Sequence, residues 1–268
     1  MPILCSFDTL TQSTENTLGF SRPFVARPRL PHGIRYLDMD TNHRILYESV
    51  IPFFTKDWAN CRIIAWDGSI LYRSIEDVFA LAPADLDFLT GEHVRYLPKD
   101  PHAPSSVRIN FERPFVTPPK VVVFFNRIEF DQDRNWRVIT TASDIDVNGF
   151  TLNIETWSDT IFHCARACWI AYPEDREHIF STSVSTMDIR PCNQQQHQHS
   201  REISFNSVEF LKKPSVFMAL NYLDIDCKAN LRVNAYVDGI STTRLVWHID
   251  SWDDTVLHAA GATIIAFN

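Results

Sequence analysis

The stretch Trp157-Ser158-Asp159-Thr160 decides the fold, because it returns as Trp252-Asp253-Asp254-Thr255. A weaker copy stands at Trp66-Asp67-Gly68-Ser69. The third copy lies 95 positions after the second, and the first lies 91 positions before it. Repetition at a nearly fixed period indicates a structural unit used several times. The chain is therefore predicted to contain one module three times.

A second landmark repeats at the same offsets. The stretch from Phe111 to Pro119, FERPFVTPP, has a counterpart 91 positions earlier from Phe20 to Pro28, and Pro119 recurs as Pro214. The predicted modules are residues 1–90, 91–178 and 179–268, with the first the most diverged. An Asn-x-Arg triplet lies between the landmarks of each module, and its first copy needs a shift of two residues relative to its flanks. The three triplets are Asn42 to Arg44, Asn135 to Arg137 and Asn230 to Arg232.

The hydrophobic pattern favours short strands. Apolar residues alternate with polar ones from Leu231 to Asp238, which predicts a strand with one wet face. The apolar run from Val121 to Phe125 follows two prolines and predicts a buried strand. Only the segment from Ser74 to Leu89 has a helix-like pattern. Several short strands in each repeat predict an all-β protein of three tandem six-stranded antiparallel β-sandwich modules.

Composition excludes several classes of protein. A formal net charge of −8 argues against nucleic acid or an anionic membrane as the main partner. The six cysteines form no CxxC pair and no zinc-finger spacing, so we expect mostly buried free thiols, with one or two disulfides left open. We expect neither a metal nor a cofactor. No apolar stretch approaches the roughly 20 residues that span a bilayer. The N-terminus lacks signal-peptide features, which favours a cytoplasmic protein and leaves unconventional secretion open.

Taken in order, these motifs resemble the H-type lectin domain, a family that includes snail agglutinins and the C-terminal domain of discoidins. The resemblance implies a six-stranded antiparallel β-sandwich that binds galactose or N-acetylgalactosamine without a metal. In relatives, three subunits form a trimer with sugar sites at the seams between neighbours. The repeat count therefore leads to the hypothesis of an intrachain pseudo-trimer, with a homo-oligomer of such units left open.

The resemblance also assigns sugar-binding residues. A Trp platform and Arg and Asn hydrogen bonds suit a hexose, which has one apolar face and several hydroxyls. The residue after each Trp is Asp or Ser where the family often has His, which leaves the sugar preference open. One polar residue of the upstream loop is expected to join each site from across the seam, with Asp188 competing for the third position. The predicted residues are Asn135, Arg137, Trp157, Ser158, Asn230, Arg232, Trp252, Asp253, Asn42, Arg44, Trp66, Asp67, Asp8, Asp100 and Asn193.

Other interpretations compete with a non-enzymatic lectin that binds glycans. The acidic pairs Asp38/Asp40, Glu129/Asp131 and Asp224/Asp226 have the strand spacing that a glycan hydrolase needs, although enzymes rarely triple a site. A structural or protein-interaction array with decayed sugar sites is the other alternative, above all for the first module. A Trp at a strand end is also more often part of the core than a platform. We expect packing for the repeated His163 and His258.

Overall fold

The computed structural model describes residues 2–9, 15–97, 105–206 and 208–268. It confirms an all-β protein with six strands for each repeat. The first repeat contributes β1 (Ile3–Thr9), β2 (Glu15–Gly19), β3 (His32–Met39), β4 (Ile45–Phe54), β5 (Trp58–Ala65) and β6 (Leu71–Ala80). The second contributes β7 (Leu89–Tyr96), β8 (Ser106–Asn110), β9 (Lys120–Phe130), β10 (Trp136–Asp146), β11 (Gly149–Glu155) and β12 (Phe162–Tyr172). The third contributes β13 (Ile179–Ser185), β14 (Ser200–Ser204), β15 (Ser215–Ile225), β16 (Leu231–Asp238), β17 (Arg244–Asp250) and β18 (Leu257–Phe267).

The helix that the pattern between Ser74 and Leu89 indicates is wrong, because β6 covers the first half of this segment and turns follow. The strand is buried on both faces, so it lacks the alternation that identifies a half-buried strand. Two adjacent acids, Glu76 and Asp77, are both buried within it. Acids in an apolar run imitate the polar side of an amphipathic helix.

Each of the three six-stranded sheets is shared by two modules. The strand orders are β1-β6-β3-β16-β17-β14, β13-β18-β15-β10-β11-β8 and β2-β5-β4-β9-β12-β7. Each module thus gives three strands to one sheet and three to another, and the pairing is antiparallel throughout.

Three strand pairs join the modules. We name them seam 1/2, where β4 pairs with β9, seam 2/3, where β10 pairs with β15, and seam 3/1, where β16 pairs with β3. Because the third seam returns to the first module, the three seams close a ring. Modules strung along the chain without mutual contact are excluded by these backbone hydrogen bonds.

The register makes corresponding positions unambiguous. One residue is left unpaired at the same place in β3, β9 and β15, where Arg35, Asn126 and Asn221 form bulges. These bulges are related by the same offsets of 91 and 95 as the tryptophans. The strand β7 begins at Leu89 and crosses the predicted boundary at residue 90, so the module bounds remain predictions.

A central core forms where the three modules meet. Its buried members come from all three modules: Phe79, Leu81, Phe88, Val122, Phe124, Cys168, Ile170, Tyr172, Ile179, Phe217, Ala219, Ile265 and Phe267. Three corresponding positions hold Gly33, Phe124 and Ala219. A Cβ atom on Gly33 would lie 2.5 Å from Cδ2 of Phe124 and 2.7 Å from Cβ of Ala219. One phenyl ring therefore fills the space that the two smaller residues leave.

All six cysteines are free thiols, and Cys61, Cys164 and Cys168 are buried. Burial raises the pKa of each of these three thiols to about 12.

Within the described residues, no helix is long and apolar enough to cross a membrane.

The central packing predicts a difference between two glycines. We expect Gly33→Ala to lower the free energy of unfolding by about 1–3 kcal/mol, because the added methyl overlaps Phe124 and Ala219. Gly19→Ala is the matched control, since a Cβ there meets nothing within 4 Å, and it should be neutral or slightly stabilising. Urea unfolding of both variants measures this, and equal stabilities would contradict the close contact.

Candidate functional site

Each repeated Trp begins a tight turn after a strand. Trp66, Trp157 and Trp252 are half-buried, and the residue after each has a left-handed backbone, with φ of 52° at Asp67, 58° at Ser158 and 53° at Asp253. Short polar residues tolerate that conformation better than most.

The last residue of each turn ties the turn to a neighbouring strand. The Thr160 hydroxyl donates to the Asn135 carbonyl at 2.6 Å, and Thr255 donates to Asn230 at 2.7 Å. Ser69 donates to the Arg44 carbonyl at 2.6 Å in the first module. The hydroxyls of Thr160, Thr255 and Ser69 therefore stabilise the turns themselves.

At seam 2/3, an arginine of module 2 connects the Trp turn to module 3. Arg137 lies opposite Asp224 in the strand register. Its Nη1 is 2.7 Å from Oδ1 of Asp159, and its Nε is 3.3 Å from Oδ1 of Asp224. The guanidinium is therefore held from both sides, and its side chain is only 14% exposed. Burial raises the pKa of Asp224, and His258 and Arg137 oppose that shift.

An aromatic residue of module 3 completes this group. The ring of Trp157 lies 5.7 Å from the ring of Tyr222, centre to centre. Burial, together with the charges of Asp224 and Cys192, raises the pKa of Tyr222 to about 12. Seam 2/3 thus brings Trp157 and Arg137 of one module against Tyr222 and Asp224 of the next.

Seam 3/1 repeats the arrangement. Arg232 pairs with Asp254 at 2.6 Å and reaches Asp38 of module 1 at 3.6 Å. The ring of Trp252 lies 5.1 Å from that of Tyr36, across the seam. Burial raises the pKa of Asp38, as it does for Asp224.

The predicted upstream residue Asp8 reaches seam 3/1 indirectly. It forms an ion pair of 2.6 Å with Arg73, whose guanidinium lies 5.0 Å from the centre of the Tyr36 ring. Asp8 therefore lies on the module opposite Trp252. Its carboxylate is paired by Arg73.

Seam 1/2 departs from this pattern. The residue opposite Glu129 is Leu46, so the register places Leu46 where the other modules have arginine, and Arg44 where they have asparagine. This corrects the alignment of the Asn42 triplet, which rested on a shift of two residues. Arg44 instead lies at 3.5 Å from Asp67 and 3.8 Å from Asp131, and its side chain is 46% exposed.

The cation at seam 1/2 comes from the opposite module. Arg127 occupies the position of Tyr36 and Tyr222, and its guanidinium lies 5.5 Å from the centre of the Trp66 ring. It forms ion pairs with Glu129 and with Glu48, the latter at 3.3 Å. The half-buried ring of Trp66 is therefore covered by the guanidinium of Arg127, which the two glutamates fix by ion pairs.

The predicted asparagines hold the modules together. Oδ1 of Asn135 accepts from the Cys227 backbone at 3.2 Å, and Oδ1 of Asn230 accepts from the Thr41 backbone at 3.1 Å. Both bonds cross a seam. Asn42 instead bonds to Asp40 of its own module, with its backbone nitrogen at 2.6 Å from Oδ1.

The acidic pairs divide their roles. The first acid of each pair faces a seam arginine, whereas the second accepts from a backbone nitrogen of the following loop, at 2.6 Å for Asp40, 2.8 Å for Asp131 and 2.8 Å for Asp226. The repeated position after the Trp turn faces this second acid. Tyr72 donates to Asp40 at 3.0 Å, and His163 and His258 lie 3.6 and 3.9 Å from Asp131 and Asp226.

The other predicted loop residues are Asp100 and Asn193. Asp100 lies outside the described residues. Asn193 is exposed in the loop that also carries Cys192, next to Tyr222. Its competitor Asp188 caps a short 3₁₀ turn, Thr186–Asp188, by accepting from the Ser185 backbone at 2.9 Å. No group of three metal-ligating side chains occurs among the described residues.

Sequence reasoning missed Tyr36, Arg127 and Tyr222, which face the tryptophans from across the seams. They carried a detectable signal, because they lie 91 and 95 positions apart and each immediately precedes the first apolar-acidic pair of its module. Module 2 has Arg127 where the other two modules have Tyr, so the three positions do not form a repeated motif.

A family model for the H-type lectin domain matches residues 106–172 and again residues 200–267. The matches together cover half of the chain and contain the strands β8 to β12 and β14 to β18. The chain belongs to the H-type lectin family, whose domains bind carbohydrate. No curated protein and no solved structure matches the chain.

Proposed function

We propose that this protein is a non-enzymatic lectin that binds galactose- or N-acetylgalactosamine-type glycans at seams 2/3 and 3/1. One observation carries the proposal. Each of these seams places a half-buried Trp and a fixed Arg of one module against a Tyr and a half-buried Asp of the next.

The chemistry of these groups suits a hexose. The apolar C–H face of a galactose-type ring stacks on Trp157 or Trp252, which lose little rotamer entropy on binding. Arginine donors and aspartate acceptors serve adjacent hydroxyls. The ion pairs on both sides of Arg137 and Arg232 fix these guanidiniums before a ligand arrives, which reduces the cost of ordering them.

The residue after the Trp is charged at one site and neutral at the other. Seam 2/3 has Ser158 after its Trp, whereas seam 3/1 has Asp253, whose carboxylate lies 3.8 Å from Arg232. We expect seam 3/1 to disfavour acidic sugars more strongly than seam 2/3, because a carboxylate on the ligand would face Asp253.

Seam 1/2 is proposed to bind no sugar. It lacks the strand arginine, since Leu46 is buried there, and Arg127 covers the ring that a sugar would stack on. Displacing Arg127 would break its ion pairs with Glu129 and Glu48 and leave Glu48 paired with Arg166. The structural alternative, in which sugar sites have decayed, is thus favoured for this one seam.

Two sites on one rigid ring raise the avidity for a dense glycan surface without new contacts. Cross-linking of such surfaces, as in an agglutinin, follows from that arrangement. In this proposal the ring is an intrachain pseudo-trimer with two working sites.

Substitution of each Trp tests the site assignment. On a glycan array, Trp157→Ala and Trp252→Ala should each weaken binding at least tenfold through lost avidity, and the double variant should bind nothing. Trp66→Ala is the matched control and should bind like the wild type. Wild-type binding by the double variant would contradict the assignment, and absence of any binding by the wild type would contradict the lectin proposal.

A gain of function tests the closed seam. The double variant Leu46→Arg/Arg127→Tyr places the residues of seam 2/3 at the corresponding positions of seam 1/2. We expect titration with N-acetylgalactosamine to give three sites instead of two. Arg127→Lys keeps the cation and serves as the control, with two sites expected. Three sites in the wild type would show that Arg127 does not close the seam.

A further inference from the structure

A cleft of about 360 Å³ opens beside Tyr222 in seam 2/3. Its walls come from both modules, with Val121–Val123 and Thr141 on one side and Ser183, Asp188 and Gly261 on the other. This volume falls in the range of small-molecule sites. Of the residues that the sequence considered for sugar binding, the cleft contains Asp188, the competitor of Asn193.

Gly261 lines the cleft at a tightly packed position. A Cβ atom at this position would lie 2.9 Å from Oδ1 of Asn221 and 3.0 Å from the Val184 carbonyl, so no other residue fits without displacing its neighbours. In the strand register, Gly261 lies opposite Tyr222. The corresponding residues are Arg166, opposite Arg127 in module 2, and Ile75, opposite Tyr36 in module 1.

The corresponding space is filled at seam 1/2. The buried Arg166 donates to Oδ1 of Asn126 at 2.8 Å and to the Ser49 carbonyl at 2.7 Å, and it pairs with Glu48 at 3.0 Å. Glu48 stands where seam 2/3 has Ile139. An ion pair at one seam thus replaces a glycine and an apolar residue at the other.

At seam 3/1, larger side chains occupy the positions that correspond to Gly261 and Asn221. Ile75 stands in place of Gly261, and Arg35 stands in place of Asn221, with its Nε 3.1 Å from Oδ1 of Asp77. Seams 2/3 and 3/1 therefore share the Trp platform. The position of Gly261, however, carries a small residue at seam 2/3 alone of the three seams.

The cleft has the polar and apolar groups that a sugar requires. Its valines provide an apolar wall, and the hydroxyls of Thr141 and Ser183 and the exposed carboxylate of Asp188 lie around it. Asn221 is fixed by bonds of 3.2 Å to Ser183 and 3.1 Å to Thr263. Hydroxyl and carboxylate groups on an apolar background suit a neutral hexose rather than an anion, because Asp188 would repel negative charge.

Tyr222 links the cleft to the Trp157 platform. Its ring lies 5.7 Å from that of Trp157 and it also lines the cleft. Tyr222 therefore contacts both the ring on which a first sugar would stack and the cleft in which a second would lie.

We propose that the cleft at seam 2/3 binds the second, neutral hexose of a glycan whose terminal sugar stacks on Trp157. This inference rests on the proposed lectin function. It makes seam 2/3 a disaccharide site and leaves seam 3/1 a monosaccharide site.

Calorimetric titration with two probes tests the proposal. N-acetylgalactosamine should bind both sites with similar affinity, whereas a galactosyl-N-acetylgalactosamine disaccharide should bind one site at least tenfold more tightly than the other. Thr141→Trp, a change at an exposed position, should fill the cleft and abolish that difference while the monosaccharide affinity stays the same. Asp188→Asn keeps the shape of the side chain and should reduce the difference.

Val50→Trp is the matched control, because Val50 is the counterpart of Thr141 at seam 1/2, and it should retain the preference for the disaccharide. Equal disaccharide affinity at both sites, or a preference that survives Thr141→Trp, would overturn the cleft while monosaccharide binding still upholds the lectin. Failure of the wild type to bind N-acetylgalactosamine or any arrayed glycan would overturn both.

Discussion

The structure depends on the backbone hydrogen bonds between strands of different modules. Within one module, β4, β10 and β16 each pair with a single neighbour, and so do their seam partners β9, β15 and β3 on the side away from the seam. Alone, each would be an open sheet edge with unpaired backbone groups. Pairing at all three seams removes six such edges and closes the ring. The candidate sites lie at these seams, so the pairing that stabilises the fold also builds them.

A single chain allows the three modules to differ where a trimer of identical subunits must be uniform. The central core uses this freedom, with one Phe124 ring filling the space left by Gly33 and Ala219. The seams use it as well. At seams 2/3 and 3/1 the arginine lies on β10 and β16. At seam 1/2 the corresponding residue is the buried Leu46, and the cation is Arg127 on β9 instead. The same position on the last strand of each module holds Ile75, Arg166 or Gly261, so the size of this side chain differs at each seam.

The sequence predicted what local patterns specify. Three repeats, all-β modules and the Trp turns follow from spacing and alternation, and the all-β fold is confirmed. Local patterns do not predict contacts between modules. Tyr222 and Trp157, for example, meet only because β15 pairs with β10, which lies far away in the chain. The Asn42 triplet shows the same limit, since motif matching selected a loop and only the strand register identified Leu46. Buried acids explain the remaining error, because Glu76 and Asp77 gave a fully buried strand the appearance of a helix.

The central claim is that unlike seams give one chain two working sugar sites. A crystal structure of the protein soaked in N-acetylgalactosamine tests this claim most directly. The account predicts one sugar stacked on Trp157 beside Arg137 and Tyr222, a second on Trp252 beside Arg232 and Tyr36, and Arg127 still covering Trp66. A sugar bound on Trp66, or sugars bound only away from the seams, would contradict it.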